Sequence, residues 1–292
     1  MVKKKKSWKN TLLNVLAVCL TIAPIFSVGT WAFTAFKGDS RQLVELASVS
    51  KSDNPKLFEE PLVSVTFDDS WETIYTNAMP IAGKYDVATT QYILPGMFTS
   101  PAYISLNQAK HMKEVGHEIA SHTSMHSNFA KVNHRTVVKE LEGSYKLLIE
   151  NKLAEPNMSF APPNGEYTPK TTAEAKKYYG SQRNVSGSFK DGIDHRDINI
   201  ASGFDRYDII GYTVGPYTTI EQIKEAIEYT KKHNGWLILV YHQIEKEVKV
   251  KGDEDSYNVT PDEFESHLKL IKESKVKTVT MREALSAYKG DK

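Results

Sequence analysis

The sequence holds a single cysteine, Cys19, in 292 residues. No disulfide can form within the chain, and no thiolate metal cluster is available. Net charge is equally scarce at +1, and the small surplus comes from one end. Residues 1–36 carry five lysines and no acid, leaving 32 basic against 36 acidic groups in the rest. A slightly acidic body lacks the basic footprint that nucleic acid or another polyanion requires. Also missing are a G-x-S-x-G nucleophile elbow, a Walker loop and a G-x-G-x-x-G turn. These absences argue against serine-hydrolase, phosphate-loop and dinucleotide chemistry. No internal repeat or low-complexity tract is present.

The first 36 residues have their own pattern. Lys3, Lys4, Lys5, Lys6 and Lys9 precede an uncharged, largely apolar run from about Thr11 to Phe36. Its length suits one bilayer-crossing helix, and lysines before it predict a cytoplasmic N-terminus with the body outside. The expectation is a single-pass signal anchor at a cell membrane. A cleaved signal peptide ending near Ala32 or Ala35 is the alternative, and it would make the body secreted. Leu16-Ala17-Val18-Cys19 faintly resembles a lipoprotein box, but Val18 is bulky there and apolar residues continue past Cys19. Residues 37–60, with Asp39, Ser40, Ser48, Ser50, Ser52, Asp53 and Pro55, read as a stalk, and 61–290 as one domain.

Within that domain the hydrophobic period switches repeatedly. Strands are expected at 62–67, 87–94, 116–120, 158–160, 207–214, 236–242 and 276–280. Helices are expected at 71–85, 105–115, 134–152, 168–179, 218–233 and 261–274. Thr260-Pro261-Asp262-Glu263 has the cap, proline and acid of a helix start. Alternating units of this length predict an α/β fold with a parallel sheet, closed or nearly closed into a barrel.

In such a barrel the reactive groups stand at the C-terminal ends of strands. Four strand ends carry polar clusters: Thr66-Phe67-Asp68-Asp69-Ser70, Ser121-His122-Thr123-Ser124-Met125-His126, Phe160-Ala161-Pro162-Pro163-Asn164-Gly165 and Leu239-Val240-Tyr241-His242. Taken singly, each has an ordinary reading. An Asp pair caps helices, a His-x-x-x-His pair arises by chance, and a histidine ending an apolar strand is often a core residue. Together they supply two imidazoles and a carboxylate, a facial metal site with open positions, and leave a second carboxylate free as a base. His117 and His122 are five apart, so they do not share a helical face as a zincin pair does. An iron oxygenase would need a β-rich scaffold. Adjacent Asp68 and Asp69 point in different directions, which suits a glycosidase poorly.

In this order the clusters resemble the polysaccharide deacetylase family, the NodB-homology or carbohydrate esterase family 4 group, over residues 60–285. The first motif is usually T-F-D-D-G, and Ser70 stands in place of its glycine. Gly116 to His126 matches the second motif, and Trp236 to His242 the last. The resemblance implies a distorted (β/α)7-type barrel with Asp68 as base and His242 as acid. It also implies that Asp69, His122 and His126 hold one divalent ion, zinc foremost, with cobalt, nickel or manganese as alternatives. A backbone N–H at Asn164 would serve the oxyanion, with Pro163 and Tyr257 at the substrate. Trp71, Tyr92 and Tyr257 are candidates to stack on sugar rings or are ordinary packing.

The third motif departs from the family. Where R-P-P-Y-G is usual, the chain reads Ala161-Pro162-Pro163-Asn164-Gly165, so the arginine that orients the base is absent. Poly-N-acetylglucosamine deacetylases resemble this arginine-less form. Arg183 is a candidate substitute, and Asp205 and Asp208 are candidates by position to polarise His242. The implied activity is metal-dependent N-deacetylation of a cell-surface or extracellular polysaccharide such as peptidoglycan, poly-N-acetylglucosamine or a chitin-like polymer. An O-acetyl esterase on a glycan such as xylan, or a non-catalytic glycan-binding relative, are the alternatives. No obligate protein partner is evident.

Overall fold

A computed structural model describes residues 57–186, 192–201, 204–247 and 257–288. Seven parallel strands form a closed ring: β1 (Leu62–Phe67), β2 (Thr90–Ile93), β3 (Glu118–Ser121), β4 (Ser159–Phe160), β5 (Ser181–Ser186), β6 (Ile209–Thr213) and β7 (Trp236–Tyr241). The ring closes because β1 pairs with β7 on one side and with β2 on the other. The β7 pairing runs the full length of β1, from Leu62↔Trp236 to Phe67↔Tyr241. The β2 pairing uses only Thr66 and Phe67. A two-residue strand, β8 (Lys277–Thr278), covers the remaining half of that edge at Leu62 and Val63. This is a distorted (β/α)7-type barrel.

Both faces of the ring strands are buried or nearly so, as expected where helices cover a parallel sheet. Alternation divides the strand residues into two apolar sets. Leu62, Tyr92, Ala120, Ala161, Ile209, Trp236, Ile238 and Val240 pack together as the filling of the ring, since alternate residues point inward. Val63, Val65, Phe67, Leu237, Leu239 and Tyr241 belong to the other set, with helix residues Leu141, Ile223, Phe264 and Leu268. The helices are α1 (Met79–Lys84, preceded by a π-turn at Ile74–Ala78), α2 (Leu106–Glu114), α3 (His134–Glu150), α4 (Pro169–Ala175), α5 (Ile220–His233), α6 (Pro261–Ser274) and α7 (Met281–Ala287). Thr260 and Glu263 form the expected capping box of α6.

Two sequence expectations are corrected within the ring. Residues 276–280 are not a barrel strand but the short β8 patch. The seventh strand is instead β5, whose sequence Ser-Gln-Arg-Asn-Val-Ser has no hydrophobic alternation to reveal it. Leu57 and Phe58, assigned to the stalk, are each 1% exposed. Phe58 meets Trp236 edge-on at 5.8 Å, so chain packing includes them. The expected membrane segment, 1–36, and stalk residues 37–56 lie outside the described residues. Among the described residues no helix is long and apolar enough to cross a membrane.

Candidate functional site

The site begins where β1 ends. Asp68 N–H donates to Tyr241 O at 2.9 Å, extending the ladder by one residue. Asp68 has the same strand parity as Leu62, Ser64 and Thr66, so it continues the inward-facing row and is 4% exposed. Asp69 and Ser70 then take left-handed backbone conformations, with φ of 69° and 62°. This region is uncommon for residues with a Cβ and turns the chain sharply. Glycine would enter it freely, but Ser70 uses its hydroxyl to accept from Leu94 N at 2.6 Å. The helix-cap reading of the Asp pair falls, because helical residues begin at Glu72, beyond both aspartates, whose carboxylates face Arg183 and the two histidines.

His122 and His126 lie on the loop after β3, in which Thr123 and His126 are also left-handed, with φ of 72° and 64°. That loop is tied down by Glu140 of α3. One carboxylate oxygen accepts from Ser124 N (2.9 Å) and Met125 N (2.8 Å), and the other from Ser127 Oγ (2.8 Å). Sequence reading missed Glu140, whose only signal was an acid on an otherwise buried helix face.

The imidazoles converge on Asp69. His122 Nε2 and His126 Nε2 lie 3.2 Å and 3.0 Å from the same oxygen, Oδ1. His122 Nδ1 is 2.8 Å from the backbone oxygen of Ala161. Donation there leaves Nε2 facing Asp69, as a donor while the imidazole is protonated and with a lone pair free for a metal once it is neutral. Burial alone would raise the Asp69 pKa, but hydrogen bonds from both histidines outweigh it and hold the group well below the carboxylate range. Burial opposes charge on His126, yet Asp69 raises it above the ordinary imidazole value. One ligand atom from each residue lies within 4.8 Å of the others. Two imidazole nitrogens and an ionised carboxylate oxygen at that spacing fit a divalent ion.

On the other side of the mouth, Arg183 reaches across from β5. It shares inward parity with Val185, which packs on the ring filling. Its Nη2 sits 2.5 and 2.6 Å from the two oxygens of Asp68. Its guanidinium carbon lies 4.7 Å from the centre of the Tyr92 ring. The cation missing from the third motif is therefore delivered one strand later, onto the same carboxylate. Tyr92 is fully buried and bonded to Ser159 Oγ at 2.8 Å, which removes it as a sugar platform.

His242 follows β7 and stacks on Tyr257, centroids 4.9 Å apart. Burial lowers its pKa, with Asp69 and Asp68 pulling the other way. Its Nδ1 is buried and has no hydrogen-bond partner among the described residues. Neither aspartate expected beside it is its partner. Asp208 accepts from Asn184 Nδ2 (2.6 Å) and the Tyr167 hydroxyl (3.1 Å), and Asp205 accepts from Tyr207 N (2.8 Å). Pro163 is buried, while Asn164 is exposed with φ of 58°. Both lie just past Ala161, whose carbonyl holds His122.

Comparison with known proteins bears on the family and the fold. A family profile described as polysaccharide deacetylase matches residues 56–181. The chain is 35% identical over 108 residues to poly-beta-1,6-N-acetyl-D-glucosamine N-deacetylase of Staphylococcus aureus strain MRSA252. That match covers 32% of this chain and only 37% of that enzyme. Among solved structures, a family 4 carbohydrate esterase domain of a multidomain xylanase, from a Trinervitermes trinervoides hindgut metagenome, is similar with a TM-score of 0.51. It is 15% identical and covers 78% of this chain and 90% of that one. A family 4 pseudoenzyme from Bacillus anthracis is similar with a TM-score of 0.50. It is 17% identical and covers 78% and 66% of the two chains. At such identities the structures speak for fold alone, and a pseudoenzyme among them means that fold alone does not imply catalysis. The sequence matches carry the resemblance: over residues 56–181 the chain is similar to the polysaccharide deacetylase family.

Proposed function

We propose that this protein hydrolyses acetyl groups from N-acetylated sugars of a cell-surface or extracellular polysaccharide. In this reading Asp69, His122 and His126 hold one divalent ion, zinc foremost. The observation that carries it is the Arg183–Asp68 contact. A chain that had lost catalysis along with its motif arginine would have no need of a buried cation on the same carboxylate. A bound divalent ion supplies polarisation of the acetyl carbonyl and a more acidic water.

The chain's own residues supply the proton transfers. Asp68, held by Arg183, takes a proton from the attacking water as its oxygen bonds to the acetyl carbon. His242 gives a proton to the sugar nitrogen as the carbon–nitrogen bond breaks, releasing acetate and a free amine. Burial makes a protonated His242 a stronger acid than ordinary imidazolium. The backbone N–H of Asn164 is assigned to the developing oxyanion, and Tyr257, beside His242, to the sugar.

Because the similar Staphylococcus aureus enzyme is named for poly-β-1,6-N-acetylglucosamine, that polymer is the first substrate to try. The lysine-then-apolar pattern of residues 1–36 supports anchoring to a membrane with this chemistry outside the cell. Acetate release by the full chain from poly-N-acetylglucosamine, chitin oligomers, peptidoglycan and acetylated xylan, with and without chelator, tests the reading. Chelator-sensitive acetate from an N-acetylated polymer is expected. Release from xylan alone moves the activity to an esterase, and no release from any substrate by the metal-loaded protein overturns it.

A further inference from the structure

Asp69 uses only one oxygen toward the histidines. Its other oxygen, Oδ2, accepts from the indole Nε1 of Trp71 at 3.3 Å. Residues two apart do not face each other in a helix. Here they meet because Asp69 and Ser70 are both left-handed, which folds the Trp71 ring back over the carboxylate.

The indole is fixed from two further directions. Its ring stacks on Tyr103 with centroids 5.0 Å apart and planes 18° from parallel. The backbones of Trp71 and Tyr103 form an antiparallel bridge. Ile104 N–H donates to Ser70 O at 2.7 Å, and Glu72 N–H to Ala102 O at 3.0 Å. A sugar platform needs an open ring face, whereas one face of this ring is taken by Tyr103.

We infer that Trp71 is a positioning residue for the metal, whose indole N–H occupies Asp69 Oδ2 and turns Oδ1 toward the two Nε2 atoms. An indole nitrogen is a donor only, so it can neither bind the ion nor compete with the carboxylate for it. It removes the freedom of Asp69 to rotate, to offer both oxygens, or to swing away from the histidines. Partners of this kind are worth about 10–100-fold in metal affinity. The inference rests on the metal-binding reading above.

The test is zinc affinity of the full chain, measured by competition with a chromophoric chelator. The parent is compared with Trp71→Phe and with Trp71 replaced by 3-benzothienylalanine, which keeps ring shape but puts sulfur where the N–H was. Both replacements are expected to weaken zinc binding about 10–100-fold, with the thermal midpoint of the metal-free protein unchanged. Affinity within about twofold of the parent overturns the role, because a packing role would survive the isostere. If Trp71→Phe fails to fold, the indole ¹H–¹⁵N resonance of the parent decides. Slow exchange and a shift on adding zinc are expected, and rapid exchange with no shift overturns the inference. A parent that binds no zinc removes the metal reading itself, whereas a parent and isostere that bind alike remove only the part given to Trp71.

Discussion

On the β1–β3 side of the barrel mouth, each metal-site side chain is held by another group of the chain. Trp71 holds Asp69, the Ala161 carbonyl holds His122, and Glu140 ties down the loop bearing His126. On the β5–β7 side, Arg183 Nε and His242 Nδ1 are both buried and have no hydrogen-bond partner among the described residues. The first half is organised before anything binds. The second retains unused hydrogen-bonding capacity, which at His242 suits a group that passes a proton, while Arg183 keeps its own protons and stays on Asp68. The division follows the family match as well, since that match ends at Ser181, two residues before Arg183.

Several changes would break or sharpen this contrast, and the largest concerns the organised half. Asp69→Ala or His122→Ala is expected to abolish stoichiometric zinc in equilibrium dialysis and acetate release with it. Zinc retained at parent affinity would remove these residues from the ligand set. Asp68→Asn tests the other half. Zinc should stay bound while turnover falls about 10²–10⁴-fold, the usual worth of a positioned base. Arg183→Met strands the Asp68 carboxylate in the ring and should cost about 3–5 kcal/mol in urea unfolding, as for other broken buried pairs. Arg183→Lys should not restore it, since an ammonium cannot reproduce the planar guanidinium. A loss under 1 kcal/mol would mean that the carboxylate finds another partner.

Two histidines outside both halves provide a control. Burial lowers His117 and His267 to about 4 each. A depressed folded-state value means that the unfolded chain binds more protons. The associated stability, on the order of 3 kcal/mol per group, is therefore present above about pH 6.5 and lost as pH falls toward 4. Acid unfolding should show this loss equally with and without chelator. A loss that chelation abolishes would trace to the metal triad instead. The smallest effect is expected for Glu140→Gln, which weakens the restraint on the histidine loop. About 1–3 kcal/mol of stability should go, with a measurable fall in zinc affinity. Unchanged affinity would make the loop self-supporting.

The organised half was the legible one. Asp69, His122 and His126 are contiguous with strand ends, and their spacing led to the group that the fold brings together. The strands that carry them have the apolar runs of doubly covered β-structure. The other half was harder because its information is spatial. β5 is polar along most of its length, since Arg183 and Asn184 serve the mouth and its neighbourhood, so periodicity passed over it and took residues 276–280 as the seventh strand. Arg183 was reachable only by asking what replaced a missing cation. The partner of His242 was sought in Asp205 and Asp208 because they lay at a plausible distance in sequence, but turn and side-chain contacts elsewhere claim both. Trp71 and Glu140 carried no motif. Their roles depend on left-handed turns and a helix approach that local sequence does not encode.

Ring closure has a consequence in time. The Thr66 hydroxyl of β1 bonds to Leu239 O, 173 residues later, and the Ser64 hydroxyl to Val279 O, 215 residues later. A ribosome makes β1 first among the strands and its β7 and β8 partners last. During synthesis β1 can find β2 only over Thr66 and Phe67, and the rest of its pairing waits for β7 and β8. Non-local pairing of this kind slows folding and leaves an open strand edge exposed meanwhile. Asp68 cannot reach its final backbone bond, to Tyr241 O, until that last partner arrives. The proposed catalytic geometry is therefore among the final things the nascent protein acquires, and a chain released short of β7 would carry Asp69, His122 and His126 without a finished site.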